Sequence, residues 1–262
     1  MSSTQAEKAG RFRALHSGAA AFVMPNPWDA GSARALAKLG FAALATSSGA
    51  AAGVLGRRDG ELTRDEALAH ARAIVQATDL PVSADMENGF GDTPADAALT
   101  VRLAAEAGLV GCSIEDASGI DRRHLYDIDH ATQRIAAAVE AARGLPFAFT
   151  LSARAENFLR GNPDLDDTIA RLQAYEKAGA DVLFAPALPD LEAVRAVCAA
   201  LHKPVNFMVG IKGKSFTVAQ LQAAGVKRIS LATSLYRAAM AGMQQAAQEV
   251  LQQGSFTYLD RL

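Results

Sequence analysis

The 262-residue chain is half apolar, enough for a substantial core. Its 26 Lys and Arg against 28 Asp and Glu leave a net charge of −2 with no long basic run, which excludes nucleic acid and anionic membrane surfaces as expected partners. Cys112 and Cys198 form no CxxC pair, the N-terminal stretch is polar, and no apolar run approaches about 18 residues, so the expected setting is a reducing cytoplasm.

Short apolar runs alternate with longer Ala/Arg/Glu/Leu-rich segments of helical period. The spacing predicts strands over 21–24, 42–45, 81–84, 110–114, 147–151, 182–184, 205–208 and 228–231. Four of the intervening helices close on a glycine followed by an apolar residue: Gly40-Phe41, Gly108-Leu109, Gly179-Ala180 and Gly225-Val226. This is the left-handed cap that turns a helix back into the next strand. Apolar strands covered by helices mean a parallel sheet. Eight such units in about 250 residues fit one closed (β/α)8 (TIM) barrel of the α/β class. A doubly wound sheet is the alternative. It normally has a glycine-rich phosphate turn after its first strand, where this chain reads Pro25-Asn26-Pro27-Trp28-Asp29. A single domain is expected, with the barrel over about 18–240 and a helical extension over about 240–262 long enough to exchange with a neighbouring subunit.

The chemistry of such barrels sits on the loops that follow the strands. Asn26, Trp28 and Asp29 follow strand one. Thr46-Ser47-Ser48-Gly49-Ala50 follows strand two, as either a plain tight turn or a cradle of backbone N–H groups for an oxyanion; Asp59 lies further along the same loop. Strands three and four end in Ser83-Ala84-Asp85-Met86-Glu87 and Ser113-Ile114-Glu115-Asp116. Taken singly, each acid could merely cap the next helix. Two acidic strand ends in succession instead suggest hard oxygen ligands for a magnesium-type ion, with manganese as the substitute. Arg154, after strand five, could hold a carboxylate or phosphonate bidentately, or form a structural ion pair with Glu115 or Glu156. Strand six offers no chemistry, strand seven contributes Asn206, and strand eight is followed by Thr233 and Ser234.

Magnesium retains several waters, so one or two of Asp59, Asp85, Glu87 and Glu115 are expected to bind it directly while the others hold its waters. Its open positions suit the paired oxygens of a 2-oxo acid, whose carbonyl the ion would polarise as a Lewis acid. No Ser-His-Asp order stands out, and no strand lysine is available for a Schiff base. The five histidines (16, 70, 124, 130 and 202) are expected mostly at the surface.

Taken together, Asn26 through Ala33, the Ser47-Ser48-Gly49 turn, Leu55 through Asp59, Ala84 through Gly91, Ser113 through Asp116 and Ala153 through Glu156 resemble the isocitrate lyase/phosphoenolpyruvate mutase superfamily over roughly residues 10–240. The resemblance implies a Mg2+-dependent barrel, a tetramer or dimer that exchanges C-terminal helices, cleaving or rearranging C–C or P–C bonds beside a pyruvate-like enolate. It implies Asp85 as the principal metal residue, with Asp59, Glu87 and Glu115 around the metal's waters. Ser47, Ser48 and Gly49 would hold the substrate carboxylate and enolate oxygen, and Arg154 its other anionic end. Trp28 and Asn206 complete the expected substrate contacts, and Arg154, Asp59 and Ser47 the expected catalytic set.

The departures from the family narrow the activity. The isocitrate and methylisocitrate lyases carry a Lys-Lys/Arg-Cys-Gly-His loop after strand four; here 116–124 has no cysteine, and Cys112 belongs to the strand's core. The mutase loop with its lysines and asparagine is also missing. The usual second acid is Glu87 rather than Asp, and the lyases' Thr-Glu-Phe-Gly is replaced by Phe207-Met208-Val209-Gly210. The leading expectation is a C–C lyase of a small 2-oxo or 2-hydroxy dicarboxylate, with water, Ser118 or His124 supplying the proton. A phosphonopyruvate hydrolase or phosphoenolpyruvate mutase is one alternative, and a barrel that binds 2-oxo acids without turnover is another.

Overall fold

A computed structural model describes residues 3–118 and 124–261. Gly119-Ile120-Asp121-Arg122-Arg123, the middle of the segment expected to bear on lid closure, lies outside the described residues.

Eight parallel strands form one sheet: β1 (Phe22–Met24), β2 (Leu44–Ala45), β3 (Val82–Asp85), β4 (Gly111–Glu115), β5 (Thr150–Arg154), β6 (Val182–Phe184), β7 (Val205–Met208) and β8 (Arg228–Ser230). Their order, β1-β8-β7-β6-β5-β4-β3-β2, wraps the sheet into a nearly closed (β/α)8 barrel. Around it lie α1 (Gln5–Ser17), α2 (Ala30–Lys38), α3 (Ser48–Val54), α4 (Arg64–Ala77), α5 (Pro94–Glu106), α6 (Ile128–Arg143), α7 (Leu165–Lys177), α8 (Leu191–Ala199), α9 (Val218–Ala223) and α10 (Ser234–Gln253). The four glycines that signalled helix ends all have φ between +92° and +100°, a region in which a side chain is strained.

The seam between β1 and β2 follows from proline chemistry. Pro25 ends β1 without an N–H to donate, and the link across the seam is Ala45 N–H to Pro25 O at 3.1 Å. Asn26 strengthens this point with its side chain. Its amide donates to Thr46 O at 2.9 Å and accepts from Leu231 N–H at 2.9 Å, bridging β2 to the end of β8. At the opposite end of the barrel α1 supplies a plug. Phe12 packs with Met24, Ala43 and Val110, and Gln5 ties the helix to Ala105 O and Leu109 O.

The apolar core is the layer between strands and helices. Cys112, Ile114, Leu151, Ala153, Leu183, Phe207 and Ile229 face outward into it. Residues alternate across a strand, so the positions between them face the barrel axis: Ser83 and Asp85, Ser113 and Glu115, Ser152 and Arg154, Asn206 and Met208, Arg228 and Ser230. The interior is therefore polar, where barrels of this type usually carry branched apolar layers.

The first of two corrections follows from that polarity. The apolar stretch 147–151 suggested strand five three residues too early; Phe147 and Phe149 precede the strand, and β5 runs Thr150–Arg154. The small turn after β2 is the start of α3, with Ser47 as its N-cap. A third correction concerns the histidines. His16 is buried between Phe12 and Phe22, and His70 and His130 are half-buried, which leaves His124 and His202 exposed.

The C-terminal extension is continuous with the last barrel helix. The 20-residue α10 begins four residues after β8 and buries none of its side chains. Met243, Val250, Leu251, Phe256 and Leu259 are exposed along this segment.

Candidate active site

A cavity of about 260 Å³ opens at the C-terminal rim of the barrel. It is lined by Ser47, Ser48, Asp59, Asp85, Glu115, Arg154 and Asn206 among the residues expected from the sequence. Asp85, Glu115 and Arg154 are each the last residue of a strand, with adjacent β4 and β5 pairing Glu115 directly with Arg154. Parallel strands in register thus bring acids far apart in sequence to one rim.

Arg154 is the hub. Its Nη1 lies 2.9 Å from Asp85 Oδ1, its Nη2 3.1 Å from Glu115 Oε2 and its Nε 2.9 Å from Glu156 Oε1. The guanidinium also sits 5.0 Å from the centre of the Phe184 ring. Arg160 adds a second cation, 2.8 Å from Glu115 Oε1 and 3.2 Å from Glu156 Oε2. The sequence alternatives for Arg154 thus resolve toward ion pairing in this state, and to three acids at once.

Of the two strand-end acids Asp85 is the more open, its side chain 19% exposed against 3% for Glu115. Besides Arg154 it accepts from Ser48 Oγ at 3.1 Å and from Glu87 N–H at 3.2 Å. Burial pushes its carboxyl up, but Arg154, the Glu87 amide and Ser48 overcome this and hold it below the usual carboxylate range. Glu115 goes the other way: burial, then the neighbouring Glu156 charge, pushes it up to about 7 against the pull of Arg154 and Arg160.

Asp59 is placed by Gly49. A Cβ on Gly49 would stand 3.3 Å from Asp59 Cγ and 2.9 Å from Thr233 Cγ2, so the acid rests on the bare backbone of the turn. Glu87 is buried and turns away from the cavity. Its backbone is left-handed (φ 47°), and it lines an adjoining depression of about 730 Å³ together with Glu115 and Ser118. Trp28 also lies off the cavity, its ring 5.8 Å from Tyr236 and its carbonyl accepting from His70 Nε2. His124 does not line the cavity either. His124 O accepts from Ser118 N–H at 2.8 Å, and Asp116 O from Tyr126 N–H at 2.9 Å.

Asp116 works behind the rim. Its carboxylate accepts from Tyr175 OH at 2.6 Å, Arg171 Nη1 at 3.2 Å and Glu156 N–H at 2.9 Å, which fixes the chain just past Arg154. Three further cavity residues were not singled out from the sequence: Arg160, Arg228 and Ser230. A basic residue opening strand eight was the available signal for Arg228, but only the two-residue alternation from Ser230 tells that it points inward.

Among the described residues no three His, Cys, Asp or Glu side chains converge closely enough to cage an ion. The donor set nevertheless fits magnesium. A partly open Asp85 on the cavity wall, with Asp59 and Glu115 lining the same cavity, matches an ion that keeps most of its waters.

Comparison with known proteins places the chain in a family. The profile of the phosphoenolpyruvate phosphomutase family matches residues 12–251. The chain belongs to the isocitrate lyase/phosphoenolpyruvate mutase superfamily. It is 30% identical to the 2-methylisocitrate lyase of Halalkalibacterium halodurans over 261 residues, covering 96% of this chain and 85% of that one. A crystal structure from Burkholderia cenocepacia J2315, assigned only as far as lyase or mutase, superposes with a TM-score of 0.96 at 52% identity, covering 98% of this chain and 92% of that one. The superfamily member 2,3-dimethylmalate lyase superposes at 0.87 with 28% identity, covering 95% and 89%. The chain is thus an enzyme of a superfamily of lyases and mutases. No helix among the described residues is long and apolar enough to cross a membrane.

Proposed function

We propose that the protein is a Mg2+-dependent C–C lyase of a small 2-oxo or 2-hydroxy dicarboxylate. The observation that carries this reading is the convergence of Asp85, Glu115, Asp59 and Arg154 with Ser47 and Ser48 on one rim cavity. Asp85 would hold the ion directly, with Asp59 and Glu115 accepting from its waters and Glu87 steadying Asp85 through its backbone N–H. When bound, the ion supplies a Lewis acid for negative charge developing on the substrate's C2 oxygen.

The chain's own groups do the rest. Ser47 offers its hydroxyl to the carboxylate beside that oxygen, while Ser48 holds Asp85 in place. Arg154 keeps Asp85 ionised and places a fixed cation in the cavity wall beside it. Glu115, held near a neutral pKa, can carry or release a proton close to physiological pH. Retro-aldol cleavage needs no cysteine acid, in keeping with a cavity lined by none and with Cys112 in the outer core. Both named lyase relatives act on hydroxylated polycarboxylates by their names, which supports the substrate class. A tetramer or dimer built through the bare face of α10 completes the proposal.

The match to a phosphomutase profile favours one alternative, P–C bond chemistry on phosphonopyruvate. NMR-monitored incubation with oxaloacetate, 2-methylisocitrate, 2-oxoglutarate, dimethylmalate and phosphonopyruvate, with and without Mg2+, separates the readings. Metal-dependent loss of a carbon-only acid, abolished in Asp85→Ala, is the expected result. Turnover of phosphonopyruvate alone would replace the lyase with P–C chemistry, and line broadening without any product would leave a binding protein.

A further inference from the structure

Three guanidiniums other than that of the exposed Arg237 line the cavity, and Arg228 differs from the other two. It opens β8 with its side chain inside the barrel and is only 3% exposed. Its Nε donates to Asn206 Oδ1 at 2.8 Å and its Nη2 to Ser152 Oγ at 2.9 Å. Both acceptors are neutral, and Nη1 has no hydrogen-bond partner. Arg154 and Arg160 each meet at least two carboxylates, but among the described residues none pairs with Arg228. A buried cation without a counter-ion is costly, and replacing it by an apolar side chain is often neutral or stabilising. Such a group in a cavity wall is therefore built for something the chain itself does not contain.

Its neighbours define what that is. Asn206 Nδ2 donates to Ser230 Oγ at 3.1 Å, which leaves the Ser230 hydroxyl proton free to point elsewhere. Arg228, Asn206 and Ser230 line the same cavity as Asp85 and Ser48, on the opposite arc of strands. One positive charge beside one hydroxyl matches the single charge and two oxygens of a carboxylate.

We propose that Arg228, with Ser230 and Asn206, forms the floor of the substrate pocket and receives the distal carboxylate of a dicarboxylic 2-oxo or 2-hydroxy acid. The inference rests on the lyase reading above, with the reacting end of the acid at Asp85 and the Ser47-Ser48 turn. It gives the specificity for dicarboxylates to a residue outside the metal cluster. Burial and the repulsion of Arg154 lower the Arg228 pKa to about 9, which still leaves it cationic at neutral pH.

Malate and 2-hydroxybutyrate test this directly, since they differ only in a carboxylate against a methyl. Titration calorimetry in the presence of Mg2+ should show the wild type binding malate about tenfold or more tightly than 2-hydroxybutyrate. In Arg228→Met that advantage should vanish, with 2-hydroxybutyrate affinity unchanged, and Arg228→Lys should restore part of it. Arg228→Gln, which keeps a hydrogen-bonding head without the charge, serves if the Met variant does not fold and should lose the same advantage. A preference for malate that survives in the Met or Gln variant overturns the proposal, as does equal weakening of both acids. A wild type that binds both acids equally also overturns it, while leaving the lyase reading intact. Binding of neither acid by the wild type overturns both. Independently, the free Arg228→Met protein should melt at or above the wild type; a melt lowered by several degrees with the malate preference intact marks a structural guanidinium instead.

Discussion

On the β3–β5 arc of the rim, Arg154 reaches Asp85, Glu115 and Glu156, and Arg160 reaches two of the same acids. Across the cavity, on β7 and β8, Arg228 meets only an amide oxygen and a hydroxyl among the described residues. Three carboxyl groups share two guanidiniums on the first arc, while the second holds a positive charge without an acid among the described residues. One wall thus attracts a cation and the other an anion, and a metal with a dicarboxylate would satisfy both. Charge that a fold leaves unmatched identifies its ligand better than charge it has already paired.

The contrast can be broken most severely by removing the cation from the paired arc. Arg154→Met leaves Glu115 and Glu156 side by side in the core, and urea unfolding should show a loss of about 3–5 kcal/mol. A negligible loss would mean that the two acids settle by taking up protons, and that Arg154 is not the hub. Asp85→Asn keeps the shape but removes the charge that faces the cavity. Metal-supported turnover should fall roughly 10³-fold, with the urea midpoint little changed. Unchanged turnover would remove Asp85 from the reaction. Gly49→Ala puts a methyl 3.3 Å from Asp59 Cγ and should slow turnover about tenfold, equivalent to about 1.4 kcal/mol. Steady-state kinetics at saturating metal would show it, and an unaffected rate would free Asp59 from its assigned position.

Just below neutral pH the smallest effect is at the far end of the barrel, where no ligand is expected. Burial, followed by the charge of Arg228, lowers His16 from 6.5 to about 3. Above pH 6.5 the ring is neutral in both folded and unfolded chains. Between pH 6.5 and 3 only the unfolded chain takes the proton, so stability falls as pH falls, by up to about 1.4 kcal/mol per pH unit. His16→Gln should flatten that slope in urea titrations across the window. An identical slope in the variant would assign the acid sensitivity elsewhere.

Most of the barrel was legible because its helices and strands alternate in composition, and because Gly40, Gly108, Gly179 and Gly225 mark the helix ends with a residue that tolerates φ near +95°. Asp85 and Glu115 were legible as acids at strand ends. What hid was whatever depended on which way a side chain faces. Strand five was misplaced because Phe147 and Phe149 read as strand, whereas Ser152 and Arg154 point into a polar interior. Ser47 read as part of a turn because a seven-residue, alanine-rich helix gives little periodicity. Glu87, one residue beyond Met86, was grouped with the cavity acids. A left-handed backbone at that position sends it to the neighbouring depression, and no spacing rule could have shown it. Arg228 depended on partners 22 and 76 positions away in sequence, Asn206 and Ser152.

The proline at the end of β1 has a mechanical consequence. Between β1 and β2 the sheet is joined by the Ala45–Pro25 hydrogen bond and the Asn26 side chain, whereas its other neighbours run in continuous register. Amide exchange should therefore be fastest along this crack, and thermal breathing of the barrel should begin there. Ser47 lies two residues beyond Ala45, directly past the break. The fold's line of least resistance and its proposed chemistry thus share the same few residues, so gentle warming should silence the enzyme well before it melts.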